Sequence, residues 1–326
     1  MRVERICHCM RKVMAAAAVV FGVSLAGALA QETTLKIDVD IVNILFTVRD
    51  KKNALIGDLT KESFTVAEDG KQQTIKYFSR ESDLPLTIGL LVDVSRSQEN
   101  LIEVEKRAAA QFFSTVLRPK DVAFLISFGS EAELLQDLTG SDKLLRAGLD
   151  GLRVNSAPGG FHPGPVPTAS RPRGTILFDA VYLAATDRLR GEVGRKTLVL
   201  ITDGVDQGSR YKVSEAIDAA HRSDAIIYSI YYTDPGIYGY YGASDSDLKR
   251  MSEDTGGRVF KVDRKNSLPE IFDRIQQELR TQYSIGYTPA NPNSSGFRRV
   301  EIRTANRDLK VQARKGYFAS TADAGR

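Results

Sequence analysis

Cysteine is nearly absent from this chain of 326 residues, and both copies, Cys7 and Cys9, lie within its first nine residues. Histidine is also scarce: beyond residue 30 only His162 and His221 occur, and their separation does not match the spacing of zinc ligands. The chain after residue 30 therefore cannot form disulfide bonds, bind a metal through thiolates or use a thiol nucleophile. At this length a hydrophobic core is sufficient for folding without cross-links.

The chain also has no large excess of positive or negative charge. The formal net charge of the whole chain is +4, but residues 1–12 alone contribute +3, so the remainder carries about +1. The basic character belongs to the N-terminal head, and a nucleic-acid partner is not indicated. Enzyme signatures are lacking as well: there is no G-x-S-x-G motif and no acid–base pair at a recognisable spacing.

The N-terminus has the pattern of an export signal. A basic head precedes an apolar core over residues 13–27, and small residues, Ala28 and Ala30, occupy the two positions that signal peptidase reads. We expect a signal peptide over residues 1–30 with cleavage after Ala30, and hence a periplasmic or extracellular bacterial protein. The alternative is an uncleaved anchor, because the apolar stretch is just long enough to span a bilayer. A membrane association is expected only in that second case.

Three segments follow the signal. Residues 31–82 show the two-residue alternation of strands and contain a hairpin that is predicted to close at Asp69-Gly70. Residues 83–281 alternate continuous apolar strands with amphipathic helices, which predicts an α/β domain with a mostly parallel sheet covered on both faces. Residues 282–320 return to short strands, and 321–326 form a tail.

The two β-rich flanks leave two arrangements open. An N-terminal flank of three or four strands cannot easily bury its inner face alone. We therefore expect 31–82 and 282–320 to pair into one small β-sandwich, with the α/β domain inserted between them. Two independent β units are the alternative. Within the α/β domain, the first helix is expected to bury one stripe of side chains: Leu101, Val104, Ala108, Phe112 and Val116.

Polar side chains follow two strands of the predicted sheet at the points where those strands end. In the stretch TIGLLVDVSRSQEN, Asp93, Ser95 and Ser97 follow a buried strand, and Asp203 ends the strand that we expect beside it. Thr175 begins a helix after a loop rich in proline and glycine. Ligands bind at the carboxyl edge of open parallel sheets, so these five residues are candidates for one site. The alternative reading of Asp93 to Ser97 is a simple helix N-cap.

Three hydroxyls and two carboxylates suit a hard divalent cation such as Mg²⁺, or Mn²⁺ or Ca²⁺ in its place. A coordination position left open by the protein would be completed naturally by a partner's carboxylate. Among neighbouring residues, Asp206 is a candidate for tuning the charge of the site, whereas Asp179 is expected to be structural or on the helix surface. Gly204 is expected to let the backbone turn sharply beside the metal.

The segment Asp93-Val94-Ser95-Arg96-Ser97 resembles the D-x-S-x-S motif of the von Willebrand factor type A (VWA) domain. Thr175 and Asp203 fall where that family has the threonine and the second aspartate of its metal-ion-dependent adhesion site. The resemblance implies a Rossmann-like, doubly wound sheet of six strands in the order 3-2-1-4-5-6, Mg²⁺ or Mn²⁺ at its carboxyl edge, and metal-assisted protein binding. The flanks DLTKESFTVAEDGKQQTIKYFSRE and QYSIGYTP with LKVQARKGYFA resemble an exported VWFA-related family described from acidobacteria, which implies no defined activity.

Two unusual loops are expected at the edge of the sheet that carries the five candidate ligands. One follows the strand in the stretch YSIYYTDPGIYGYYG, and the other is the proline- and glycine-rich loop 154–172. Tyrosines supply rigid contact area in binding loops, so a partner-binding rim is expected from both loops; its candidate members are Tyr238, Tyr240, Tyr241, Phe161 and His162. A tyrosine-rich loop that packs on its own helix is the alternative.

The sequence is compatible with three functions. We expect a non-enzymatic protein that captures an acidic residue of a protein partner through its metal. A structural module of the cell envelope, with a vestigial or purely stabilising metal site, is the second reading. A metal-dependent hydrolase is disfavoured because no convincing base is present. The sequence does not indicate an oligomeric state.

Overall fold

The computed structural model describes residues 41–80, 84–154, 174–234, 244–291 and 295–319. The expected signal peptide, all five candidate rim residues and the tail lie outside these ranges. No helix among the described residues combines the length and apolar character needed to cross a bilayer.

Strands and helices alternate along the central part of the chain. The strands are β1 (Val42–Arg49), β2 (Phe64–Glu68), β3 (Lys71–Gln73), β4 (Tyr77–Arg80), β5 (Leu86–Asp93), β6 (Val122–Phe128), β7 (Ala132–Thr139), β8 (Arg195–Thr202), β9 (Ala225–Tyr231), β10 (Val259–Lys261), β11 (Tyr283–Tyr287), β12 (Gly296–Thr304), β13 (Lys310–Ala313) and β14 (Gly316–Ala319). The helices are α1 (Ile102–Val116), α2 (Asp142–Asp150), α3 (Leu177–Leu183), α4 (Val213–Arg222), α5 (Ser246–Thr255) and α6 (Leu268–Arg280), and a π-helical segment, Ala184–Leu189, continues α3.

Six strands form the central sheet in the order β10-β9-β8-β5-β6-β7. The five strands from β10 to β6 pair in parallel, and β7 pairs with β6 antiparallel. Counted from β5 as the first strand, this order is 3-2-1-4-5-6, as the resemblance implied. All eight residues of β5 and all eight of β8 are buried, which explains the continuous apolar runs of these two strands.

Strand β7 did not stand out in the sequence as a strand. It lies at the edge of the sheet, and none of its residues is fully buried. An edge strand that is partly exposed does not need the apolar run that identifies a buried strand, so periodicity alone missed it.

Helices cover both faces of the sheet. One apolar cluster joins β5 to α1, α2 and α6, and the other joins β8 to α3, α4 and α5. The buried stripe of α1 differs from the expected one at a single turn. Val104 is 37% exposed, while Glu105 is buried at 1% exposure, because the helix begins at Ile102 and turns position 105 towards the sheet. The expected burial of Val104 was wrong.

The two β-rich flanks pair with each other in two antiparallel sheets, ordered β13-β1-β11-β4 and β14-β12-β2-β3. Each sheet contains strands from both ends of the chain, so two independent β units do not exist. Aromatic rings fill the space between them: Phe46 stacks on Tyr283 with ring centroids 5.4 Å apart and meets Phe64 edge-on at 5.0 Å. The hairpin from β2 to β3 closes at Asp69 and Gly70, both with positive φ (47° and 78°).

Candidate metal centre

The Asp93 carboxylate is fixed at the carboxyl edge of the sheet by two hydrogen bonds. Asp93 is the last residue of β5 and is fully buried. Its Oδ1 accepts from the backbone N–H of Ser95 at 2.9 Å, and its Oδ2 accepts from the hydroxyl of Thr202 at 2.6 Å. Thr202 ends β8, the strand beside β5. The neighbouring strand therefore orients the carboxylate.

The two serines of the motif lie side by side. After β5 the chain turns through a short 3₁₀ segment, Arg96–Gln98, which is preceded by extended backbone at Ser95. This turn places the hydroxyl oxygens of Ser95 and Ser97 3.0 Å apart. The pair of hydroxyls is therefore assembled by local backbone geometry, directly after the buried carboxylate.

Asp203 approaches Asp93 from the next strand along the sheet. It follows β8 directly, is buried, and accepts from the backbone N–H of Val205 at 3.1 Å. Gly204 comes next, with φ at 79°, and a Cβ there would lie 2.1 Å from the carbonyl oxygen of Ser244. Only glycine fits this turn, as the sequence suggested.

Main-chain hydrogen bonds place Thr175 next to the loop that follows β8. Its carbonyl oxygen accepts from the backbone N–H groups of Gln207 and Gly208 at 3.0 and 3.1 Å. The following residue, Ile176, donates its N–H to the carbonyl oxygen of Gly129, just past the end of β6. The loop that carries Thr175 therefore lies between the ends of β6 and β8, on the edge that carries Asp93 and Asp203.

Two carboxylates converge in a buried position at this edge. Burial, and secondarily the charge of Asp203, raise the pKa of Asp93 to about 7, against the smaller opposing effects of its hydrogen bonds. A pair of buried anions is unfavourable without a compensating cation. The donor set here is entirely oxygen, from two carboxylates and neighbouring hydroxyls, and it fits a hard divalent ion. Within the described ranges no three acidic, histidine or cysteine side chains form a cluster, so hydroxyls are needed to complete a site.

Glu105 is a residue near the site that sequence reasoning missed. It lies on α1, and within the described part of the chain neither of its carboxylate oxygens has a hydrogen-bond partner. Burial, and then the charge of Asp93, raise its pKa well above the usual range. The spacing around Leu101 and Ala108 fits both position 104 and position 105, so the sequence alone did not distinguish the buried Glu105 from the apolar Val104.

Asp179 and Asp206 have structural roles. The Asp179 carboxylate accepts from the backbone N–H groups of Arg210 and Tyr211 at 2.8 and 2.9 Å. Asp206 accepts from the backbone N–H of Phe178 at 3.2 Å. Together they hold the loop after β8 against the start of α3. The structural expectation for Asp179 agrees with these contacts, whereas the suggested charge-tuning role of Asp206 stays a prediction.

Comparison with known proteins gave structural likeness only. No protein-family model and no curated protein matches this sequence. Among solved structures, an aerotolerance-related membrane protein from Bacteroides fragilis NCTC 9343 is 16% identical, with a TM-score of 0.44 over 60% of this chain and 98% of its own. Proximal thread matrix protein 1 from the mussel byssus, with a zinc-occupied MIDAS motif, is 14% identical, with a TM-score of 0.48 over 64% of this chain and 48% of its own. The vWF domain of the type V pili tip protein Mfa5 from Porphyromonas gingivalis is 14% identical, with a TM-score of 0.44 over 60% of this chain and 94% of its own.

The α/β part is a doubly wound domain around a mostly parallel sheet of six strands, the fold class that the resemblance to the von Willebrand A domain implied. This assignment rests on the strand order, on the antiparallel edge strand and on the helices that cover both faces of the sheet. Likenesses as distant as those above carry no argument about function. The finer resemblance to the exported VWFA-related family stays a prediction, as does the role of the five residues as metal ligands.

Proposed function

We propose that this protein binds a divalent metal at the carboxyl edge of its central sheet and, through that metal, an acidic residue of a partner protein. The carrying observation is the buried Asp93 carboxylate, whose pKa is raised by burial and by the charge of Asp203. Such a pair is stabilised by a cation. Mg²⁺ is favoured because its preferred ligands are oxygens, and Mn²⁺ or Ca²⁺ could replace it.

The candidate ligands divide into two kinds. The hydroxyls of Ser95, Ser97 and Thr175 are neutral, so direct ligation by them leaves the positive charge of the ion largely uncompensated. Asp93 is already engaged by Ser95 and Thr202 and supplies negative charge from a fixed position. When bound, the ion would supply a Lewis-acid position that a partner's carboxylate completes. The protein's own residues hold the ion and orient the partner's carboxylate, and we infer binding rather than catalysis.

The proposed setting is outside the cytoplasm. It is supported by the pattern of basic head, apolar core and small residues at the N-terminus. The partner would be a protein that presents aspartate or glutamate. A nucleic-acid partner is not proposed, because the head carries +3 of the net charge of +4 and the rest of the chain has little net charge.

Metal binding is tested first by titration calorimetry of Mg²⁺ and Mn²⁺ into chelator-stripped protein. We expect saturable binding near one equivalent, lost in Asp93→Ala and in Asp203→Ala. The matched control is Asp137→Ala, which removes a carboxylate that is 59% exposed on the edge strand β7 and should bind the metal like the wild type. Equal binding by all variants would refute the site.

The open coordination position is tested with acetate, which stands in for the partner's carboxylate. Bound Mn²⁺ relaxes the protons of exchanging water, so acetate that occupies the open position should lower this relaxivity in the wild type. Relaxivity that acetate leaves unchanged, with Mn²⁺ demonstrably bound, would mean that the metal only stabilises the fold. That result would favour the structural envelope module over metal-dependent capture.

A further inference from the structure

A second concave region lies at the opposite end of the central sheet from the metal centre. Asp93 and Asp203 follow the carboxyl ends of their strands, whereas His221 and Asp224 precede the amino end of β9. There a cavity of about 450 Å³ separates the end of α4 from strands β1 and β14 of the sandwich. The volume lies within the range of small-molecule pockets, roughly 300–1,000 Å³.

The cavity carries more positive than negative charge. Arg190, Arg222 and Arg314 line it, and Asp224, which pairs with Arg314, is the acid that faces them. Within the described ranges, Arg190 and Arg222 have no carboxylate within ion-pair distance. Arg298 also borders the cavity, but its charge is compensated by Glu68 at 3.1 Å. Two guanidinium groups are therefore left for a ligand.

The arginines are held in place by contacts that leave donors free. The guanidinium of Arg222 lies flat over the ring of Phe318, with its central carbon 4.0 Å from the ring centroid. Arg314 donates through its two terminal nitrogens to Asp224 and to the carbonyl oxygen of Asn43. The Nε of Arg314 is buried and has no hydrogen-bond partner among the described residues.

His221 also lines the cavity. The side chain is 4% exposed and stacks edge-on with Phe297, and within the described part of the chain its Nδ1 has no hydrogen-bond partner. Burial, and then the nearby charge of Arg314, lower the pKa of His221 to about 4, so the imidazole is neutral at pH 7. Buried polar atoms are nearly always satisfied in folded proteins, and each one left over calls for a partner.

We propose that this cavity binds a small ligand through an oxyanion, a phosphate or carboxylate group, held between Arg190, Arg222 and Arg314. The planar fork of arginine matches both groups and can donate two hydrogen bonds to one of them. An oxyanion at this position would compensate the surplus charge of the cavity. The ring of Phe318 and the side chain of Ile41 offer an apolar wall to the rest of the ligand. The inference does not depend on the metal centre.

The test is calorimetry on the full chain after metal has been stripped with a chelator and the chelator removed by dialysis, so that anions cannot bind through a metal and no chelator competes for the cavity. The probes are inorganic phosphate and citrate, and the probe that binds identifies the oxyanion class. We expect one equivalent of one probe to bind saturably, at least tenfold more weakly in Arg222→Gln and in Arg190→Gln. The matched control is Arg188→Gln, which removes an arginine two residues before Arg190 that pairs with Asp137 and does not line the cavity.

Two outcomes would overturn the proposal. Neither probe binding the wild type, with the protein shown to be folded by circular dichroism, would mean that the cavity does not take an oxyanion. Binding that weakens equally in Arg222→Gln and Arg188→Gln would reveal non-specific attraction to positive charge. Asp93→Ala should bind the probe like the wild type, which keeps this result separate from any failure of the metal centre.

Discussion

Asp93 makes the stability of the metal-free protein depend on pH. Its pKa in the folded state is about 7, above its ordinary value near 4, so the folded state keeps a proton that the unfolded state has lost. The resulting stabilisation is complete below pH 4 and disappears as the pH rises through 7. Between pH 6 and 8 this contributes a loss of about 1.4 kcal/mol.

Urea unfolding at pH 6 and pH 8, with chelator, checks this expectation. The wild type should lose more stability over this interval than Asp93→Asn, which has no titrating group at that position. Mg²⁺ should restore stability to the wild type at pH 8 and leave Asp93→Asn unchanged. Identical pH dependence in the two proteins would contradict the raised pKa.

Glu105 is a buried acid without a hydrogen-bond partner among the described residues, and it should cost stability. Replacing it with methionine keeps the length and the helix propensity while removing the unsatisfied carboxylate. We expect Glu105→Met to raise the free energy of unfolding at pH 8 by about 1–3 kcal/mol. Glu103→Met is the matched control on the same helix, because Glu103 is 67% exposed and should change stability by less than about 0.5 kcal/mol. A Glu105→Met protein less stable than the wild type would indicate a partner for this carboxylate.

Among the connecting elements, the turn after β8 is tightly constrained at Gly204. Gly204 and Gly70 both have φ near 80°, but a Cβ at Gly204 would meet the carbonyl oxygen of Ser244 at 2.1 Å, while a Cβ at Gly70 would meet nothing within 4 Å. Gly70→Ala should therefore lower the free energy of unfolding only by the cost of holding alanine in the left-handed conformation, about 1–2 kcal/mol. Gly204→Ala should cost more and should also weaken Mg²⁺ binding, because Asp203 is its direct neighbour.

Urea unfolding and metal calorimetry on the two variants separate these effects. Equal losses of stability would show that the loop of Ser244 moves away without cost. Unimpaired metal binding in Gly204→Ala would argue against Asp203 as a ligand. Gly70→Ala should bind metal like the wild type, since it lies in the hairpin of the sandwich.

Some of the strands and helices could be predicted from the sequence, and others could not. β5 and β8 were predictable because burial on both faces demands a continuous apolar run. β7 was not, since its half-exposed residues carry no such run. The first helix was predicted, but its burial at one turn was not, because periodicity favoured Val104 over the charged Glu105.

The α/β part and the sandwich are joined by a buried cluster of charges. Glu278 on α6 pairs with Arg49 on β1 at 2.5 Å, and it accepts from the Nε of Arg258 at 2.7 Å. Because removal of the acid would leave the buried Arg49 and the partly buried Arg258 without their shared partner, Glu278→Ala should destabilise the protein by about 3–5 kcal/mol. Glu301→Ala, which removes an exposed acid paired with Arg303, should change stability by less than about 0.5 kcal/mol.

Urea unfolding followed by near-ultraviolet and far-ultraviolet circular dichroism checks this coupling. We expect the two signals to coincide in the wild type, since the cluster ties both parts together. In Glu278→Ala the midpoint should fall, and separate transitions for the two parts become possible. A midpoint equal to that of Glu301→Ala would mean that the cluster contributes little.

The sequence by itself determined the α/β alternation, the hairpin at Asp69-Gly70 and the five oxygen-bearing residues at strand ends, because local periodicity and turn chemistry are written in neighbouring residues. Only the tertiary structure decided that Thr202 orients Asp93, that Glu105 is buried beside the site, and that α4 and the sandwich enclose a cationic cavity. These features join residues up to about 270 positions apart, such as Asn43 and Arg314. Contacts over such separations depend on how elements pack, and no local pattern in the chain specifies that packing.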